Sequence, residues 1–318
     1  MSMARIAPLL VAVVGIAVLV SLPEVLPSYH VGLVIRVLIY AIFAMSLDLL
    51  MGYAGLPSLG HGAFLGLAAY GVGLFSLRVG NNFVLALGSG LGVTLVTAAF
   101  FGILVLRARG PQFLMLTLAL AQVAWGITFK WKSVTGGDDG LPGIPRPNLG
   151  LPWDLSGATA YYYFTLVFFV VAVALMYLIV RSPFGHSLEG IRESETRMGA
   201  LGYNVWLHQY VTFLIAGFFA GLAGVLLAYY NGFVSPTELH VVTSAKVFLM
   251  VVLGGAGTLF GPMLGAAIII LLEDVISAYT ERWLSILGII YVLVAIFAPT
   301  GIYGPLRKSL RKWIPLTH

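Results

Sequence analysis

Few residues in this chain could do chemistry. Its six histidines stand at 30, 61, 186, 208, 240 and 318, and none shows the H-x-x-x-H spacing of a helical metal pair. Cysteine is absent, which excludes disulfides and Cys-based metal sites. There is no H-E-x-x-H, no GxxxxGK[ST] phosphate loop and no Ser–His–Asp set in the context such a set needs. What remains are single polar groups in apolar runs: Asp48, His61, Gln112, Thr117, Gln122, Glu273 and Asp274. In such surroundings a polar group pairs, caps a neighbour or lines a polar path. His61 reads either as a neutral imidazole hydrogen-bonded to a nearby carbonyl or as a pathway or gating group. Glu273 and Asp274 lie towards the end of their run and read as solvated. Tyr229 and Tyr230 read as interfacial anchors.

The elements that must position these groups are membrane helices. The 318 residues are 60% hydrophobic and 9% charged, against about 45–50% apolar and about 25% charged in soluble domains. Ten apolar segments are predicted, at about 6–22, 31–51, 62–77, 83–106, 111–130, 160–180, 208–230, 243–256, 262–280 and 283–299. The third and eighth are short for a full crossing. The first follows Arg5 and resembles a signal sequence, but "SLPEVLPS" lacks a small-x-small cleavage pattern, so it reads as a retained span.

The fold expected is an all-α integral membrane protein, a polytopic bundle of about 8–10 spanning segments with Gly-broken helices. With both termini in the cytoplasm, Arg5, Arg107, Arg109, Arg181, Arg192, Arg197, Arg307, Lys308, Arg311 and Lys312 fall inside. Arg78, Lys130, Lys132, Arg146 and Arg282 then fall outside, and the positive-inside bias favours this orientation. Arg36 and Lys246, just inside segment ends, are expected to snorkel. Residues 1–318 read as one transmembrane domain with an outer loop at 131–159 and a cytoplasmic loop at 181–207. The net charge of +5 fits membrane orientation and gives no sign of nucleic-acid binding.

Two Gly-rich stretches interrupt the apolar runs. "GYAGLPSLGHG" carries Gly52, Gly55, Ser58, Gly60 and His61; "GGAGTLFGP" carries Gly254, Gly255, Gly257 and Thr258. Broken helices expose backbone groups only where protein or water satisfies them, so the pair reads either as two tight turns or as parts of a transport pathway.

The cytoplasmic loop is predicted to hold a short amphipathic helix over Ser187–Leu201. Leu188, Ile191, Met198 and Leu201 share one face, while Glu189, Arg192, Glu193 and Glu195 point elsewhere. Glu193 and Arg197 are spaced as an i,i+4 ion pair. "GHSLEGIRESETRMGALGYNV" resembles the cytoplasmic loop of branched-chain amino-acid ABC-transporter permeases (the LivM/LivH type). It departs from that pattern at Gly190, where Ala is usual, and near Met198, where a small residue is usual. "GYAGLPSLGHGAFLGLAAY", "GGAGTLFGP" and the outer "TGGDDGLPGIP" are also similar to family patterns, and the resemblance covers about residues 35–304.

The resemblance implies a non-catalytic permease subunit of an ATP-driven importer in the bacterial inner membrane. Leu188, Glu189, Ile191, Arg192, Glu193, Glu195 and Met198 would couple to an ATPase. Asp138, Asp139 and Gly140 would meet a periplasmic binding protein. The partners implied are a second permease of similar fold, two ATPases carrying ATP and Mg, that binding protein and membrane lipid; this chain itself would bind no cofactor. A passive channel or secondary carrier for a small polar solute is the alternative. Carriers commonly need buried ion-coupling charges, which are scarce here.

Overall fold

The computed structural model describes residues 3–147, 155, 157–280, 282, 285, 286, 288–290, 292, 293 and 301. Twelve α-helices occur among them. They are α1 (Met3–Val25), α2 (Ser28–Asp48), α3 (His61–Arg78), α4 (Phe83–Val105), α5 (Pro111–Lys130), α6 (Lys132–Thr135), α7 (Ala158–Arg181), α8 (Pro183–Glu193), α9 (Glu195–Ala200), α10 (Val205–Asn231), α11 (Val241–Gly254) and α12 (Phe260–Tyr279). A π turn, Leu49–Tyr53, extends α2. One short ladder, β1 (Leu141–Pro142) with β2 (Phe233–Val234), is antiparallel.

Six of these helices are long and apolar enough to cross a membrane: α2 with its π turn, α4, α5, α7, α10 and α12. The protein is therefore a polytopic helical membrane protein. Of the ten apolar segments, nine appear as helices close to the expected bounds. The tenth, 283–299, lies mostly outside the described residues, as does the C-terminal basic cluster of Arg307, Lys308, Arg311 and Lys312.

Burial separates the spans. The α2 and α10 spans are mostly enclosed by protein, whereas α4, α5, α7 and α12 bury about a third of their residues. Of these four, α4, α7 and α12 pack on the two central helices, while α5 packs on α3 and α4. Each buries one stripe, as α5 does with Phe113, Thr117, Ala121, Ala124 and Thr128 at helical spacing.

The two short helices take up a shared middle position. At 18 and 14 residues, α3 and α11 extend roughly 27 and 21 Å at about 1.5 Å per residue. Both begin in the interior. The first turn of α3 lies beside Ser46, part-way along α2, and the Gly62 N–H donates to Ser244 Oγ in the first turn of α11 at 2.9 Å. From there they run in opposite directions. The far end of α3 reaches Arg78, whose Nη2 donates to the Ser133 and Val134 carbonyls. The far end of α11 leads into the turn beside Gly52.

Each short helix is preceded by irregular chain, 54–60 for α3 and 232–240 for α11. The packing repeats in the same sense: α3 lies on α4 as α11 lies on α12, and α2 lies on α12 as α10 lies on α4. The result is an inverted, two-fold-like arrangement in which α3 and α11 meet by their first turns.

Candidate functional site

The residues from Asp48 to Gly52 and from Gly254 to Leu259 form one joint. Asp48 is fully buried near the end of α2. Its Oδ1 accepts from the Gly257 N–H at 2.7 Å and its Oδ2 from the Leu259 N–H at 3.2 Å. A carboxylate thus closes the turn between α11 and α12 from outside that hairpin, satisfying backbone donors that would otherwise be orphaned.

The turn needs such a clamp. Gly255 and Gly257 have φ of 107° and 76°, and Leu259 has φ of 54°, the one non-glycine with positive φ among the described residues. That conformation is strained for an L side chain. Thr258 adds a local cap, donating to Gly255 O at 2.6 Å and accepting from Gly261 N at 3.1 Å. Gly52 has a different reason for lacking a side chain, since a Cβ there would run into the Gly257 N–H and the Asp48 carboxylate.

A third element closes the joint. Arg192 on α8 donates from Nη1 to the Gly52 carbonyl. Its stem lies against Gly55, which has φ of 72°, and its guanidinium lies close to Gly257. The α8 helix and both Gly-rich stretches therefore meet through one arginine.

The sequence explains how α8 arrives there. Ser182 caps it, accepting from Gly185 N at 3.3 Å, and Pro183 occupies its first turn. Gly185 lies against the Ile179 and Val180 carbonyls, where a Cβ would not fit. The single helix expected over Ser187–Leu201 is in fact two. Ser194, extended at φ −164°, ends α8 and caps α9. The break separates Glu193 from Arg197, and the expected i,i+4 pair is not among the ion pairs of the described residues.

The break also divides the expected coupling residues. Leu188 and Ile191 are 1% exposed and face this chain's own bundle. They brace α8 and are not free to fill a partner's groove. Glu195 is held within the chain by Gln209 Nε2 at 2.8 Å and by Arg109 at 3.6 Å. Met198 packs its sulfur into the space a side chain at Gly190 would take. The exposed members are Arg192 and Glu193, with Glu189 half-buried beside His186 at 3.7 Å.

The first stretch continues inward. Ser58 is buried and accepts from Gly60 N at 3.2 Å, and Leu59 N donates to Thr117 Oγ1 at 3.3 Å. His61 is fully buried. Its Nε2 lies 2.8 Å from Ser46 Oγ, its ring stacks on Phe43 and meets Phe64 edge-on, and its Nδ1 has no partner. The partner is a serine hydroxyl and not the expected carbonyl. At the opposite end, Gly136, Gly137 and Gly140 have positive φ, and Asp138 and Asp139 stand exposed in a single 3-10 turn beside the β1–β2 ladder.

Other expectations are corrected by burial. Glu273 is not solvated: it pairs with Lys246 and lies 3.8 Å from Arg36, so these two basic residues turn inward and do not snorkel. Lys246 also sits 4.5 Å over the Tyr40 ring. Asp274 accepts from Tyr29 Oη at 2.8 and 2.9 Å. Tyr229 is buried against Ser76, and the Tyr230 hydroxyl donates to Gly32 O, so neither is a membrane-interface anchor. Asp48 was visible in the sequence as a buried acid, but its partners stand more than two hundred positions away.

Comparison with known proteins agrees with this architecture. The model of the family described as "Branched-chain amino acid transport system / permease component" matches residues 29–298. The chain is 28% identical to the high-affinity branched-chain amino acid transport system permease protein LivM of Salmonella typhimurium, over 93% of this chain and 75% of that protein. It is 29% identical to LivM of Escherichia coli K12, over 95% and 76%. Similarity extends to LivH of Salmonella typhimurium, at 25% identity over 83% and 91%. No solved structure matches. A family match spanning most of the helical bundle, including both sides of the Asp48–Gly257 joint, makes this chain a member of the branched-chain amino acid transport permease family.

Proposed function

We propose that the chain is the non-catalytic permease subunit of an ATP-driven importer for branched-chain or related amino acids, lying in the inner (plasma) membrane with both termini in the cytoplasm. The whole chain acts as one permease domain. It works beside a second permease of similar fold, two ATPases that carry ATP and Mg, and a periplasmic binding protein. The 181–207 loop faces the cytoplasm and the 131–159 loop faces the binding protein, which the exposed Asp138 and Asp139 help to seat, whereas Gly140 is buried against Val234 and shapes the turn without touching a partner. This chain contributes no nucleotide site and no cofactor of its own.

The observation that carries this reading is the bond from Arg192 to Gly52 beside Gly257. A movement of α8 driven by an ATPase reaches both Gly-rich stretches without an intermediary. The ATPase-facing contact is made by the charges of Glu189 and Glu193, Arg192 carries the movement inward to Gly52, and Leu188, Ile191, Glu195 and Met198 keep α8 and α9 rigid on the bundle. Glycine-rich turns move at low cost, so Gly52, Gly55, Ser58 and Gly60, with Gly254, Gly255, Gly257 and Thr258, form the inner gate. His61 lies one step further in and presents the polar end of that path.

The test is uptake of labelled leucine, isoleucine and valine by proteoliposomes holding the purified assembly. Arg192→Ala is expected to lower uptake by about tenfold or more, the loss typical of a charged hydrogen bond, while the ATPases still co-purify and hydrolyse ATP. Glu193→Lys is expected to weaken co-purification instead. Full ATP-dependent uptake by both variants would overturn the coupling role, and uptake without ATP would favour the channel or carrier reading.

A further inference from the structure

At the end of the bundle away from the Gly52 joint, a cavity of about 360 Å³ opens between α2, α7, α10 and α12. That volume lies within the range of about 300–1,000 Å³ typical of small-molecule pockets. Two guanidinium groups line it, from Arg36 and Arg146, together with Asp274 and the rings of Tyr29, Tyr161 and Tyr230.

The two arginines are incompletely used. Arg146 makes none of the ion pairs of the described residues, and its Nη1 is buried with no hydrogen-bond partner. The backbone places it firmly, because Asn81 Nδ2 donates to its carbonyl at 2.7 Å and its guanidinium lies 4.4 Å over the Tyr161 ring. Arg36 has Glu273 at 3.8 Å, but that carboxylate is held more closely by Lys246. A buried donor without a partner is costly, and the planar fork of an arginine matches a carboxylate. Across the cavity, Asp274 is fixed by the Tyr29 hydroxyl and still presents a negative charge.

We propose that this cavity binds a free α-amino acid, with its carboxylate on Arg146 and Arg36 and its ammonium on Asp274 beside the tyrosine rings. It would be the first site on the permease to receive substrate. This inference rests on the amino-acid importer reading above, and it adds a location and a recognition chemistry to it. The opposed charges discriminate zwitterions from single ions, and the tyrosine faces accept an apolar side chain or a cation.

Arginine-directed labelling with phenylglyoxal, read by mass spectrometry on the wild-type assembly, tests the site without relying on a variant that folds. An equimolar mixture of the twenty free amino acids should slow modification of Arg146 severalfold, and the same mixture as amides, which lack the carboxylate, should not. No protection by the free amino acids would overturn the site whether or not uptake is observed. Protection that appears on adding phosphatidylglycerol, with no further effect of amino acids, would also overturn it, because the anion would then be a lipid phosphate. In parallel, Arg146→Gln and Asp274→Asn should each raise the KM for uptake by about tenfold, with the maximal rate changed less than twofold. Unchanged KM in well-assembled variants would count against the site. Absence of uptake by the wild type would fall on the transport reading alone, since the labelling is scored independently.

Discussion

Asp48 shows how much one side chain can fix. Its two oxygens accept from two backbone N–H groups on a turn that joins different helices, and one of those belongs to Leu259, held at φ 54°. An asparagine has one acceptor oxygen and a donor in place of the other. Asp48→Asn therefore leaves at least one buried N–H facing a donor, at a cost of about 1–3 kcal/mol. The variant is expected to lose folded protein at a lower temperature in detergent, and to lose uptake at temperatures where the wild type is active. Melting and uptake equal to the wild type would show that the turn holds without the carboxylate. The sequence revealed that a buried acid stood one short step from a glycine-rich break. It could not reveal the partner, because a backbone donor carries no signature of residue type. His61 illustrates the converse, since its position in the break was plain and its serine and phenylalanine neighbours were not.

Helices were read well where composition sets them and poorly where a single cap does. The ends of α4, α5, α7 and α10 lie close to their apolar runs, since burying or exposing an apolar residue decides them. The amphipathic segment in the 181–207 loop was foreseen, but its break at Ser194 was not, because a serine within a helix and a serine capping the next one look alike in sequence. The break gives meaning to two departures from the family pattern. Gly190 and Met198 touch each other across it: a Cβ on Gly190 would stand 2.8 Å from Met198 Sδ. Gly190→Ala alone gains about 1 kcal/mol of helix propensity but crowds the flexible thioether of Met198, so its net effect is expected to lie within about 1 kcal/mol of neutral. With Met198→Ala in place the crowding is gone and the same change should stabilise by about 1 kcal/mol, although Met198→Ala alone opens a gap. Unfolding midpoints for the four members of this cycle measure the coupling. Additive effects would separate the two positions.

At the scale of the whole molecule, the inverted arrangement was only half legible. The shortness of the third and eighth segments pointed to incomplete crossings, and both helices are shorter than the six long and apolar enough to cross. The echo between the Gly-rich stretches drew attention to the wrong counterpart. It pairs the turn before α3 with the turn after α11, whereas the positional equivalent of 54–60 is 232–240, which shares no comparable glycine motif with it. Symmetry of packing survives divergence of sequence because many residues can line the same groove.

Charge adds to the packing that secures α11. Lys246 on α11 pairs with Glu273 on α12, and Glu273 also faces Arg36 on α2, so one carboxylate joins three helices. Lys246 and Glu273 are 11% and 13% exposed, and such charges are costly once unpaired. Removing them is therefore asymmetric. Lys246→Met leaves Glu273 with Arg36, whereas Glu273→Gln takes from both basic groups their nearest acid and leaves them only the more distant Glu238. Glu273→Gln is expected to be the more damaging, at a cost of about 3–5 kcal/mol. Combining it with Lys246→Met should cost less than the sum of the two, because the stranded ammonium is gone. Heat-induced loss of folded protein in one detergent gives the ranking. If Lys246→Met were as damaging as Glu273→Gln and the losses added, the carboxylate would not be the hub, and α11 would depend on its apolar contacts with α12 and α2.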